Sequence, residues 1–200
     1  MIDNISAVIL AGGANSRFHG MVKAKIVIGG RTIIARTLDI LREIFREIII
    51  VTNTPKEFVE YTNFMIVSDE IQNKGPLGGI HAALKATSGE AVFVFAGDMP
   101  LINREIITLI LESYSEKQCD ILIPKTGTFI EPLHSIYSKE ILHNLEQFLE
   151  ATNKNAVREF IKQVNTRYLS LENSEKTRKA FTNINYPEDL PDLEKLMNIK

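Results

Sequence analysis

Six short apolar runs recur along this 200-residue chain: SAVILA at 6–11, EIIIVT at 47–52, FMIVSD at 64–69, AVFVFAGD at 91–98, DILIPK at 120–125 and PLHSIYS at 132–138. Each is too short for a buried helix and is bounded by turn-forming or charged residues, which is how strands covered on both faces of a sheet read. Helical spacing fills the intervals. Residues 32–46 place Ile33, Ile34, Thr37, Leu38, Leu41 and Ile44 on one side and Arg36, Asp39 and Arg42 elsewhere. Residues 77–87 form a second helix opened by glycines, and Asn103 caps a third that runs to about Tyr114. Residues 139–150 and 154–163 read as two further amphipathic helices, and Pro187 opens a last one. This alternation predicts βαβ units, hence an α/β fold with a mostly parallel sheet. With no repeat and no low-complexity linker, residues 1–200 are expected to form one domain, in which about 125–170 is an insertion covering the open edge of the sheet.

Open α/β sheets bind ligands outside the carboxyl ends of their strands. Gly12, Gly13, Arg17 and Lys23 follow the first run, Asn53 follows the second, and Asp69 and Asp98 end the third and fourth, so the polar residues converge on one rim. The stretch VILAGGANSRFHGMVK at 8–23 has the composition of a triphosphate site: glycines let backbone N–H groups approach phosphate oxygens while Arg17 and Lys23 bring positive charge. No Gly-Lys-Ser/Thr follows the glycines and no G-x-G-x-x-G is present, which excludes the kinase-type phosphate loop and the dinucleotide fingerprint. A plain strand-to-helix turn is the competing explanation of Gly12-Gly13. Lys25, two residues on, is an alternative to Lys23 as the phosphate lysine.

Asp98 leaves the sheet where a buried strand ends, which suits a hard cation such as Mg²⁺, bound by one or two carboxylates together with phosphate oxygens and water. Asn103 is better placed as the helix cap. Arg17 and Lys23 would counter the charge on the α-phosphate and on departing pyrophosphate. Gly75-Pro76-Leu77-Gly78-Gly79 is a rigid turn opening a helix, suited to laying backbone against a base or ribose. His81 reads as a packing residue. His19 and His134 lack a second ligand at metal-binding spacing. Cys119, the one cysteine, heads a strand as a small buried hydrophobe.

A net charge of −2 from 23 basic and 25 acidic side chains gives no field for nucleic acid or an anionic membrane, so any anion must be held locally. The first apolar run is too short to span a bilayer and no basic n-region precedes it, so a cytoplasmic protein is expected, with neither membrane nor nucleic acid as partner.

The string LAGGANSRFHGMVK resembles the L-A-G-G-x-S-x-R-M-G-x-x-K signature of small nucleotidyltransferases, and GPLGG, FAGDMPLI, EPLHSIY and FTNINYPEDL are similar to motifs of the molybdenum cofactor guanylyltransferase (MobA) family. The likeness runs from Val8 to Leu190. It implies a Rossmann-like three-layer α/β/α fold of the nucleotide-diphospho-sugar transferase type, and transfer of GMP from GTP to Mo-molybdopterin with Mg²⁺ and release of pyrophosphate. Cytidylyl transfer to the same acceptor, or nucleotidyl transfer to a sugar or polyol phosphate, is the alternative. Carried over by position, Leu10, Ala11, Gly12 and Gly13 contact the nucleotide, Lys23 holds phosphate and Asn53 and Asp69 seat guanosine. Gly78 and Gly79 lie beside the base, Asp98 binds metal and phosphates, and Asn183 and Asn185 face the acceptor's pterin side or the metal. Molybdopterin-synthesis proteins and molybdoenzyme chaperones are the implied protein partners. Phe18 stands where the family usually has Met, His19 where it has Gly, Val22 where it has a polar residue and Tyr186 where it has Thr. The spacing from Lys23 to Gly30 matches the family's and favours Lys23 over Lys25.

Overall fold

The computed structural model describes residues 1–12, 21–115, 118–151 and 156–197. In chain order the strands are β1 (Ile5–Leu10), β2 (Val27–Ile28), β3 (Arg31–Thr32), β4 (Ile48–Val51), β5 (Met65–Val67), β6 (Ala91–Ala96), β7 (Ile121–Thr126), β8 (Phe129–Ile130), β9 (His134–Ser138) and β10 (Thr166–Ser170). The α-helices are α1 (Ile33–Leu41), α2 (Pro76–Ala86), α3 (Arg104–Ser115), α4 (Leu142–Ala151), α5 (Val157–Phe160), α6 (Glu175–Ala180) and α7 (Leu190–Leu196). One sheet runs β10-β7-β9-β6-β1-β4-β5, with β8 also paired to β7, while β2 and β3 form a separate hairpin.

Strands β5, β4, β1 and β6 are parallel neighbours; β9 runs antiparallel between β6 and β7, and β10 pairs parallel to β7. The carboxyl ends of six strands and the amino end of β9 therefore share one rim. Register sharpens that alignment. Leu10 pairs with both Val51 and Ala96, and Val51 with Val67, so the residues following each strand emerge side by side.

Alternate side chains feed two apolar layers. On one face Ile9, Ile50, Phe93 and Phe95 pack with α1 and α3; on the other Val8, Ile49, Val92 and Val94 pack with α2, α4 and α5. The Phe93 and Phe95 rings stack at 4.5 Å with Phe45 edge-on to both, and each such buried ring is worth about 1.5–3 kcal/mol. This is the three-layer α/β/α arrangement that the family resemblance implied. A third cluster joins the hairpin residues Ile26 and Ile28 to Ile33, Ile184 and Leu193, docking the C-terminal segment beside the rim.

All six apolar runs contain strands, and Asn103 does cap α3, its Oδ1 accepting from the backbone N–H of Glu105 (3.0 Å) and Ile106 (3.2 Å). Within the expected 154–163 helix, α5 covers only Val157–Phe160 of the described residues. The β2–β3 hairpin, β8, β10 and α6 were not legible. β10 is an edge strand with Arg167, Tyr168 and Ser170 exposed, so it shows no apolar run; α6 buries only Thr177 and Ala180. The 125–170 stretch contributes β9 to the interior of the sheet and β10 to its edge.

Candidate active site

Gly75 begins the wall of the site. Its φ of 55° lies in the left-handed region that glycine adopts without a Cβ clash, and it turns the chain into α2 with Pro76 at the first helical position. α2 then crosses the end of β1 so closely that a Cβ on Gly79 would lie 2.9 Å from Leu10 Cδ2. At the tip of β6 a Cβ on Gly97 would meet the Leu10 carbonyl oxygen at 2.7 Å and the Ala11 Cα at 3.2 Å, so the two strand ends touch through backbone just before Asp98.

A cavity of about 710 Å³ opens at this rim, lined by Leu10, Ala11, Gly12, Lys23, Asn53, Asp69, Gly79 and Asp98 among others. Eight of the residues singled out from sequence thus meet in one place. Gly78 does not line it: its Cβ position faces Ile71 O at 3.0 Å and Asp69 Oδ2 at 3.3 Å, so it supports Asp69 from behind. Gly13 and Arg17 lie outside the described residues, as do His19 and Phe18. Asn183 and Asn185 are exposed and flank buried Ile184, away from the cavity lining.

At the centre, Lys23 Nζ donates to Asp98 Oδ2 at 2.9 Å and to the Ile184 carbonyl at 2.7 Å, while Ile184 N donates to Asp98 O at 3.0 Å. The ammonium is held from two sides before any ligand arrives, an arrangement that lowers the reorganisation needed on binding anionic oxygens. Lys25 is turned away, paired with Glu60 Oε1 at 2.8 Å and donating to the Glu57 carbonyl. Of the two lysines only Lys23 reaches the cavity. On the flank, Asn53 holds Asp69 by two bonds, Nδ2 to Asp69 Oδ2 at 2.9 Å and Asp69 N to Asn53 Oδ1 at 3.0 Å.

Residues 7–168 match the family described as the MobA-like NTP transferase domain. The chain belongs to that family. A probable molybdenum cofactor guanylyltransferase of Peptoclostridium acidaminophilum is 43% identical over 170 residues, 82% of this chain and 76% of that one. One from Natranaerobius thermophilus is 35% identical over 98% of both chains. Among solved structures, molybdopterin-guanine dinucleotide biosynthesis protein A of Archaeoglobus fulgidus superposes with a TM-score of 0.82 at 25% identity, covering 96% of this chain and 98% of that one. This MobA-like chain is accordingly a nucleotidyltransferase.

Several lining residues of this family member were missed from sequence: Thr54, Gln72, Asn73 and Leu133. Asn73 carried the clearest local signal, an asparagine in the left-handed region with φ of 62°, which asparagine tolerates better than most residues. The histidines stay out of the chemistry. His81 is buried with Nε2 3.2 Å from Glu146 Oε1, bridging α2 to α4. His134 is fully buried between the edges of Phe93, Phe95 and Phe181, and burial pushes its pKa down to about 3, so it is neutral. Cys119 is partly buried against the core at the entrance to β7. No helix of the described residues is long and apolar enough to cross a membrane, and no three His, Cys, Asp or Glu side chains among them gather into a metal site.

Proposed function

We propose that this chain transfers GMP from GTP to Mo-molybdopterin in the cytoplasm, releasing pyrophosphate and forming the guanine dinucleotide form of the cofactor. The observation that carries this reading is the Lys23–Asp98 pair at the mouth of a cavity whose other flank presents Asp69. Asp69 Oδ2 is held by Asn53, and no described residue hydrogen-bonds Oδ1. A carboxylate so fixed matches the adjacent N–H and NH₂ donors of guanine. Cytosine offers one amino donor beside acceptors, which favours GTP over CTP.

In this mechanism a terminal phosphate oxygen of molybdopterin attacks the α-phosphorus of GTP in line, and the bond to the β-phosphate breaks with its electron pair leaving on pyrophosphate. Lys23 and Arg17 neutralise that charge. The acceptor phosphate is already ionised, so no strong general base is required, and the described cavity lining contains no histidine. Asp98 commits only Oδ2 to Lys23, leaving Oδ1 without a hydrogen bond from any described residue, which fits a divalent cation completed by phosphate oxygens and water. Mg²⁺ is the proposed ion; Asp98 would hold it, and it would supply charge neutralisation to the triphosphate. The C-terminal segment around Asn183 and Asn185, with the 125–170 stretch, forms the acceptor side of a single domain.

The test is pyrophosphate release from GTP, CTP, ATP and UTP with Mg²⁺, each with and without Mo-molybdopterin. Release is expected from GTP with acceptor present. Preference for another base, or release independent of the acceptor, overturns the reading.

A further inference from the structure

Pairing along β7 is interrupted at Glu131-Pro132-Leu133, and the interruption is rigid. β8 ends opposite Lys125, β9 begins at His134 opposite Phe95, and the three residues between them leave the ladder. Glu131 N donates to Pro124 O at 3.0 Å, and Glu131 O accepts from His134 N at 3.0 Å and from the buried Ser135 hydroxyl at 2.6 Å. Pro132 O accepts from the hydroxyl of fully buried Tyr137 at 2.7 Å, and Leu133 O accepts from Ala96 N at 2.9 Å. Irregularities of this kind re-aim side chains beside active sites. Here Leu133 enters the cavity wall one strand away from Asp98.

The Glu131 side chain is half-buried, yet no described residue donates a hydrogen bond to it. Burial holds its carboxyl above the ordinary carboxylate range, opposed by the charge of Arg158, which forms no ion pair with it. A partly desolvated carboxylate without donors costs stability, and the buried hydroxyls fix the backbone from which this side chain projects. The arrangement is intelligible if a ligand supplies the donors.

We infer that Glu131 recognises the acceptor: its carboxylate accepts the adjacent N–H and NH₂ donors of an aminopyrimidinone ring, the edge that a pterin presents. Guanine carries the same edge, and the sheet order separates the two sources. Asp69 follows β5, three strands from β6 on one side; Glu131 precedes β9, the neighbour of β6 on the other. At about 4.8 Å per strand, Asp69 lies roughly 14 Å from the line of β6, room for the nucleoside on that flank, while Glu131 lies on the flank from which the acceptor must approach the α-phosphorus. This inference rests on the proposed GMP transfer.

The experiment is steady-state pyrophosphate release by wild type, Glu131→Gln and Glu131→Asp with GTP, Mg²⁺ and Mo-molybdopterin, varying each substrate in turn. Glutamine turns one acceptor oxygen into a clashing donor, so the KM for Mo-molybdopterin should rise about tenfold or more with kcat and the KM for GTP within about twofold of wild type. Aspartate keeps the charge but withdraws it by one methylene, and should raise the acceptor KM less. An unchanged acceptor KM in both variants overturns the inference, as does a parallel rise in the KM for GTP, which would assign the edge to guanine. The retained KM for GTP also reports that the variants are folded. A wild-type protein that releases no pyrophosphate under these conditions sinks the GMP-transfer reading instead, a separate outcome.

Discussion

Glu47 and Asp98 stand at opposite ends of the same sheet, one entering β4 and the other leaving β6, and their oxygens keep different company. Glu47 Oε2 accepts from the Ser6 hydroxyl, from Thr87 Oγ1 at 3.2 Å and from Ser88 N at 3.0 Å. Burial would raise its pKa, but these donors win and hold it below the ordinary carboxylate range. Asp98 receives a single ammonium and no other hydrogen bond to its carboxylate from the described residues. The amino end is closed upon itself, whereas at the carboxyl end Asp98 and Asp69 each keep a carboxylate oxygen without a donor among the described residues. Volume alone points the wrong way. A hollow of about 1210 Å³ at the amino end, bordered by Asn4, Gly89 and Ser138, is larger than the cavity of about 710 Å³ at the rim, but it lacks a lysine–carboxylate pair like that of Lys23 and Asp98 among the described residues.

The largest effect should fall on the open end. Asp98→Ala removes the partner of Lys23 and the proposed cation ligand together, and GMP transfer should drop by about a thousandfold, while the thermal midpoint stays near wild type because this partly exposed pair is a small item of stability. Pyrophosphate release and a melting curve on the same preparation check both halves. Retained turnover would remove Asp98 from the reaction and with it the contrast between the two ends.

At the closed end the expected signature is reversed. Glu47→Ala leaves the Ser6 and Thr87 hydroxyls and the Ser88 amide without their shared acceptor, and should cost about 2 kcal/mol of folding stability. Turnover per folded molecule should be unchanged. Urea unfolding alongside kcat measures this, and a fall in kcat without a fall in stability would show that the amino end communicates with the chemistry.

How much of this was legible depended on where the information resides. That Gly12, Lys23 and Asp98 line one cavity was readable because glycines, a lysine and an aspartate interrupt apolar runs. Asn53 and Asp69 followed from the rule that ligands meet strand carboxyl ends. The Ile184 carbonyl that grips Lys23 was beyond reach, since it is backbone contributed by a segment 161 residues away. Leu133 was missed for a related reason: PLHSIYS looks like one strand, and only the pairings, which resume at His134 opposite Phe95, show that its first residues leave the ladder. Adjacent glycines look alike in sequence, but one helical step of about 100° sets Gly79 against Leu10 and in the cavity lining and Gly78 against Ile71 O and Asp69 Oδ2.

His134 tests whether the rim is open everywhere or only at its centre. Both ring nitrogens are buried without a hydrogen-bond partner, and its pKa falls from 6.5 to about 3 on folding. The unfolded chain therefore binds a proton that the folded chain refuses between those values. This contribution to stability is fully present above pH 6.5 and is lost as pH falls toward 3, at about 1.4 kcal/mol per pH unit. His134→Phe keeps an aromatic ring among Phe93, Phe95 and Phe181 and removes the titration. Unfolding free energies at pH 7 and pH 5 should diverge less in the variant than in wild type; equal slopes would mean that the ring is hydrated and that the opening extends past Leu133.

The smallest effect separates two lysines two residues apart. Lys25 pairs with Glu60 at 2.8 Å, donates to the Glu57 carbonyl and lies 5.8 Å from the centre of the Phe58 ring, so its charge is spent on the segment before β5 rather than on the cavity. Its hydrogen bond holds the Glu60 carboxyl below the ordinary range, which is stability present at neutral pH and lost as pH falls through the carboxylate range. Lys25→Ala should leave kcat/KM for GTP within about twofold and lower stability by about 0.5–1 kcal/mol at pH 7, since exposed pairs are weak, and that deficit should shrink once Glu60 is protonated. Lys23→Ala, measured in parallel, should do the opposite, losing turnover with little change in stability. If Lys25→Ala proved the more damaging to turnover, the phosphate lysine would have been assigned one turn of the chain too early, and the Lys23–Asp98 contact would belong with Glu47 among the bonds that only hold the fold.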